Sequence, residues 1–165
     1  MAKKIIPGKL YARIRMSIPI FYVNAIIRTR DGVLLGKRNN EPAKGKIWYI
    51  RGRVWLGETP ERAVLRKVKE ETGLNARVSD FVGLYSTVFK DDKTTQTMNA
   101  VYVVDAIGGR LQMDRRHSEF VFLKSIGRNL HPYIKRTLSD SKVFAGKRRV
   151  EKGRRKTYAF VIKQG

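Results

Sequence analysis

Residues 52–74 read GRVWLGETPERAVLRKVKEETGL, and much of the chain's chemistry is gathered there. Glu58, Arg66, Lys67, Glu70 and Glu71 follow a glycine-containing segment that begins at Gly52. Arg66 and Glu70 are four apart, as are Lys67 and Glu71, so on a helix each pair would be neighbours on the surface. Carboxylates clustered just after such a loop suit a hard divalent cation that bridges them to a phosphate. The chain has two histidines, His117 and His131. Imidazole suits proton transfer near neutral pH, but His131 falls near a helix start, where a surface role is expected.

These side chains need a helix to hold them. Thr59 is a good N-cap, Pro60 suits the first helical position, and Glu61 favours the positive helix end. The helix is predicted to run to about Thr72, with Gly73 ending it in a left-handed cap. Ala63, Val64, Val68 and Thr72, with Leu65 beside them, form its inward face. Upstream, residues 18–29 are rich in β-branched and aromatic side chains and read as a long strand. Asp31-Gly32 is a turn signal, and residues 33–38 read as the second strand of a hairpin. Residues 39–46 form a polar loop with Pro42 and Gly45, and residues 48–50 a short third strand leading into Gly52. After the helix come a strand at 81–89, a polar loop at 91–96, a strand at 98–107 ended by Gly108-Gly109, and a short strand at 120–123. Residues 130–138 predict a second helix with Pro132 near its start. The order gives one α/β domain over residues 1–144, with 1–16 as an N-terminal extension, and no internal repeat.

A length of 165 residues allows one domain with a real core. Lysine and arginine number 36 against 14 acidic residues, a formal net charge of +22. That excess favours polyanionic partners, nucleic acid included, and is compatible with a phosphate-bearing substrate. The absence of cysteine excludes a disulfide framework and thiol catalysis, and fits a cytoplasmic protein. The N-terminus has no long apolar core, so neither a signal peptide nor a membrane span is expected. Residues 145–165 form a basic tail, with Lys147, Arg148, Arg149, Lys152, Arg154, Arg155, Lys156 and Lys163 against Glu151. It reads either as a nucleic-acid-binding arm or as a solvated extension with residues 158–162 tucked against the domain as a strand.

The spacing resembles the Nudix box: Gly, five residues, Glu, seven residues, then Arg-Glu-apolar-x-Glu-Glu-x-Gly-apolar. Every fixed position matches except Lys67, where the family has Glu. A second stretch, LLGKRNNEPAKG at 34–45, together with Gly52-Arg53-Val54, resembles the GDP-mannose mannosyl hydrolase branch of that family. The branch also lacks the Glu that Lys67 replaces. Asp114-Arg115-Arg116-His117 resembles the branch's Asp-Glu-Gln-His, whose histidine is a general base.

The resemblance implies a Nudix fold, a mixed central β-sheet between helices, with the box helix beside a catalytic cleft. It implies metal ligands at the Gly52 carbonyl, Glu70 and Glu71 for Mg²⁺, with Mn²⁺ as a substitute. It implies diphosphate contacts at Arg38 and Arg53, a general base at His117, and an Arg66 of the catalytic box tied by a salt bridge to Glu58. The implied substrate is a nucleoside diphosphate sugar. Water would attack the sugar C1 and release GDP and free sugar. The alternatives are cleavage of the P–O–P bond of a nucleoside diphosphate derivative, or a non-catalytic module binding nucleic acid. A homodimer is compatible with either. Three residues depart from the pattern. Arg51 stands where the family usually has the first glycine of a pair, so the loop is expected to differ. Arg116 stands where the branch has a metal-ligating Gln, and a guanidinium has no lone pair to offer. Lys67 stands one turn before Glu71, where it would neutralise that carboxylate.

Overall fold

The computed structural model describes residues 6–39, 44–89, 95–112, 117–145 and 158–162, without the side chains of Phe89, His117 and residues 158–162. The central strand is β1 (Ile20–Thr29), in which every residue from Val23 to Ile27 is buried. Such an unbroken run marks a strand covered on both faces. It forms an antiparallel hairpin with β2 (Gly32–Arg38), with Ile27 opposite Leu34 and Thr29 opposite Gly32. The expected short strand at 48–50 is instead two strands separated at Tyr49. The first, β3 (Ile47–Trp48), pairs with β2, and β4 (Ile50–Arg53) pairs antiparallel with the N-terminal half of β1. This change of partner delivers Gly52 and Arg53 to the start of the box.

Helix α2 (Pro60–Thr72) is followed by β5 (Leu74–Phe89), which begins directly after Gly73 rather than at Phe81. Its first half alternates exposed and half-buried residues, and register shifts interrupt its pairing with β6 (Gln96–Gly109) at three places. Leu74, Ala76 and Val78 alternate with Asn75 and Arg77, a strand signal in the sequence that the expected start at Phe81 left out. β6 runs parallel to β1, and β7 (His117–Leu123) pairs antiparallel with β2. Helix α3 (Pro132–Ser141) follows, and β8 (Tyr158–Ile162) runs parallel to β5 at the sheet's edge. The backbone of residues 158–162 is thus part of the sheet, while residues 146–157 lie outside the described residues. The N-terminal extension, in which no element was expected, contains α1 (Gly8–Ser17).

The mixed sheet of eight strands lies between α2 and α3. On one face, Val23, Ala25, Ile27, Leu34, Ala100, Tyr102 and Val104 meet Ala63, Val64 and Val68 of α2. On the other, Ile26, Val33, Leu35, Trp48, Tyr49, Tyr85, Val101 and Val103 meet Tyr133, Ile134 and Leu138 of α3. Each fully buried large side chain contributes about 1.5–3 kcal/mol. Together the two layers fix α2, and so the box, against β1 and β4. Among the described residues no helix is long and apolar enough to cross a membrane.

The end of α2 has little room to change. Gly73 has φ 72° and its N–H donates to the Lys69 carbonyl. A Cβ at this glycine would lie 2.4 Å from the Arg110 carbonyl oxygen. We expect Gly73→Ala to lower stability by about 1–3 kcal/mol, the usual cost of a side chain held in the left-handed region. Urea unfolding of the two proteins checks this; equal midpoints would mean that the cap relaxes freely.

Candidate active site

Helix α2 starts as its sequence dictates. The Thr59 hydroxyl accepts from the Arg62 N–H at 3.3 Å, Pro60 opens the helix, and Glu61 accepts from the Tyr102 hydroxyl at 2.9 Å. Nearly two turns in, Arg66 joins three parts of the chain. Its Nε and Nη2 donate to the two oxygens of Glu58 at 2.7 and 2.8 Å, a bidentate fork. Nη2 also donates to the Arg53 carbonyl at 3.0 Å, and Nη1 to Glu70 at 3.3 Å. The guanidinium lies 3.6 Å from the centroid of the Trp55 ring. Glu58 in turn accepts from the Trp55 N–H at 3.1 Å. Helix, loop and the end of β4 are therefore tied by one side chain, and the donors of Arg66 are engaged in positioning. The hydrogen bonds from Arg66 hold the Glu58 carboxyl below its ordinary pKa.

Lys67 and Glu71 were expected on the surface and are inside. The Lys67 ammonium is 2.5 Å from Glu71 and 3.0 Å from Glu70. The Lys67 and Glu71 side chains are 6% and 3% exposed, and that of Glu70 is 39% exposed. The reason lies on β4. A Cβ at Gly52 would sit 2.3 Å from Cδ of Lys67 and 2.6 Å from its Cγ and Cε. The bare backbone of Gly52 is what admits the lysine stem between helix and strand. Burial pushes the Glu70 carboxyl up, but Lys67 and Arg66 outweigh it and hold that group below its ordinary value.

Arg53 stacks over the Tyr11 ring at 4.4 Å, and Tyr11 and Tyr22 bring their hydroxyls within 3.4 Å. Arg15 also lies over Tyr11, at 6.0 Å. Burial pushes the Tyr11 phenol up to about 12. Sequence reasoning missed this contribution of α1; the i, i+4 spacing of Tyr11 and Arg15 was its available signal. Arg51 needs no left-handed backbone: it is a residue of β4, stacked over Tyr22 at 4.2 Å.

Arg38 closes β2, where its N–H donates to the Lys46 carbonyl at 3.0 Å. It stands opposite His117, the first residue of β7, at a register shift. Arg38 and His117 therefore share one strand pair, whereas Gly52, Arg53, Glu58, Arg66, Lys67, Glu70 and Glu71 cluster about β4 and α2. Residues 114–116 of the histidine motif, and residues 91–94 of the polar loop, lie outside the described residues. His131 is not a free surface residue. It caps α3 by accepting from the Tyr133 N–H at 3.1 Å and packs on Trp48. Burial, with Lys46 nearby, lowers its pKa.

Among the described residues no three His, Cys, Asp or Glu side chains converge as a ready metal cage. The donor chemistry nonetheless fits a hard cation, because Glu70 and Glu71 already gather around one positive centre.

The depressed Glu58 carboxyl carries a pH dependence. Because its folded-state pKa is lowered, the stabilisation is complete above the ordinary glutamate value, about 4.3, and is lost as pH falls through the folded value. We expect Glu58→Gln to cost roughly 1.5–3 kcal/mol at pH 7, the range for hydrogen bonds to charged groups. The deficit should shrink in denaturation curves recorded at progressively lower pH below 4.3; a deficit independent of pH would show that the fork does not hold the loop.

The NUDIX domain model matches residues 20–135. An ADP-ribose pyrophosphatase of Methanocaldococcus jannaschii is 37% identical over 76% of this chain and 75% of its own. The low-salt glycan biosynthesis protein Agl8 of Haloferax volcanii is 30% identical over 81% of this chain and 88% of its own. A MutT NUDIX hydrolase from Burkholderia pseudomallei superposes with a TM-score of 0.66 over 74% of this chain and 98% of its own, at 23% identity. With its box formed, its mixed sheet set between two helices and relatives of this kind, the chain belongs to the Nudix family of hydrolases.

Proposed function

We propose that this hydrolase acts on a nucleoside diphosphate sugar, with Mg²⁺ as cofactor and Mn²⁺ as its substitute. The observation that carries this is the convergence of Glu70 and Glu71 on one cationic centre beside Gly52, held in place by the Glu58–Arg66 fork. Glu70 and Glu71, with the Gly52 carbonyl, are the proposed ligands of the ion. When bound, the ion supplies charge neutralisation to the diphosphate. Arg53, held over Tyr11 next to the cluster, and Arg38 are the proposed diphosphate contacts, since guanidinium forks match phosphate geometry. Arg66 contributes by fixing the loop through Glu58.

The bond cleaved separates two readings. The relative named ADP-ribose pyrophosphatase favours attack at phosphorus, giving a nucleoside monophosphate and a sugar phosphate. Glu70 and Glu71, both retained, support it. The GDP-mannose mannosyl hydrolase reading, attack at C1 with release of GDP and free sugar, is favoured by Lys67 in place of a box carboxylate. It is favoured too by His117 at the head of β7, opposite Arg38, as a separate general base. The similarity to a glycan biosynthesis protein suits a sugar-bearing substrate in either case.

Hydrolysis of ADP-ribose and GDP-mannose in ¹⁸O-labelled water decides between them. We expect turnover of at least one, with label in a phosphate product for phosphorus attack or in the sugar for C1 attack. No turnover of any nucleoside diphosphate sugar would defeat the proposal. His117→Gln should lower the C1 reaction by about 10²–10⁴-fold, the range for a general base, and leave attack at phosphorus little changed.

The basic tail, residues 145–165, is proposed to add non-specific polyanion binding to this activity, while its residues 158–162 pair with β5 and so belong to the sheet of the domain. Changing Lys147, Arg148, Arg149, Arg154, Arg155 and Lys156 to Gln should leave hydrolysis near wild type. It should lower retention on double-stranded DNA and flatten its salt dependence, because each lost phosphate contact removes about 0.9 from the slope. Unchanged retention would assign the binding to the folded domain.

A further inference from the structure

We propose that the Lys67 ammonium is a built-in counter-ion at the metal-binding centre, and that a divalent ion binds there only by displacing it. This deepens the proposed function and rests on the reading that the box takes such an ion. The ammonium occupies the point on which the two carboxylates converge, 2.5 Å from Glu71 and 3.0 Å from Glu70. A second cation of higher charge cannot share those oxygens at such distances, since the two positive centres would repel at close range in a partly desolvated place.

Nor is the arrangement a loose surface contact. The Lys67 stem runs against the backbone of Gly52, where a Cβ would collide with its Cγ, Cδ and Cε. The stem is thereby fixed and the ammonium aimed inward. Its way out is toward Glu70, which is 39% exposed and already 3.0 Å away. Charge supports the same account. Among the ion pairs of the described residues, Glu58, Glu70 and Glu71 face Arg66 and Lys67. Removing the ammonium takes one positive charge from the place that an entering ion would occupy. With the ammonium in place, the free protein holds an ion weakly, and the phosphates of the substrate supply the charge that makes binding favourable. Ion and diphosphate therefore load together, which restrains metal-dependent chemistry until substrate is present.

Titration of Mn²⁺ against the full chain without nucleotide, followed by electron paramagnetic resonance, tests this. Lys67→Met keeps an unbranched stem against Gly52 and removes the charge. We expect it to bind Mn²⁺ at least about tenfold more tightly than wild type; equal or weaker binding overturns the displacement. Binding by neither protein contradicts the metal reading itself, and the proposal with it. Because hydrolysis is not measured, an error over substrate leaves the result intact. Should Lys67→Met fail to fold, wild type decides. Acetylation of Lys67, read by mass spectrometry, should be slow in EDTA and rise at least about tenfold in millimolar Mn²⁺ as the ammonium leaves its buried place. Equal labelling in the two conditions overturns the proposal.

Discussion

The close approach of α2 to β4 at Gly52 is the constraint on which the site depends. A helix can lie this near a strand only where the strand has no side chain, and here even a methyl group would fall within 2.3 Å of the Lys67 stem. That proximity brings Lys67 and Glu71 out of water and sets Glu70 at the rim. It also brings the Arg53 carbonyl within reach of Arg66, so that the fork onto Glu58 fastens the loop, the strand end and the helix together. The sheet contributes by holding β4 on β1 and by giving α2 an apolar bed.

Charges in such a place behave differently from surface pairs. An exposed i, i+4 pair contributes a few tenths of a kcal/mol. The Lys67–Glu71 pair is nearly dry, so either partner alone would be left as an uncompensated buried charge. The family's usual glutamate at this position would instead add a carboxylate that needs a bound cation to be tolerated. Lys67 supplies positive charge from within the chain. Divalent ions generally serve Nudix enzymes, and the proposed displacement makes Lys67 the group that an entering ion must move.

Much of this was legible from residue order. The cap at Thr59, Pro60 at the helix start and the left-handed Gly73 are local features, and local physics settles them. The pairing of Arg66 with Glu58 is what the resemblance to the Nudix box implied. What the sequence concealed depends on tertiary contact. The i, i+4 rule finds Lys67 beside Glu71 but cannot say that β4 covers them. The split of residues 47–53 into two strands reflects a change of partner that has no signature in composition. The first half of β5 was legible in the alternation of Leu74, Ala76 and Val78 but was left out, and α1 offered only the i, i+4 spacing of Tyr11 and Arg15.

The central claim is that hydrolysis of a nucleoside diphosphate sugar takes place at the carboxylates around Gly52. Phosphorus NMR of ADP-ribose and GDP-mannose with Mg²⁺, comparing wild type with Glu70→Gln, measures it most directly. The half-exposed position of Glu70 allows the substitution without opening the core. Loss of the diphosphate-sugar resonances with wild type, and a rate at least about 10²-fold lower with the variant, is the predicted result, in line with removal of one electrostatic contact to the transition state. Equal turnover by the two proteins would place the chemistry elsewhere and contradict the account.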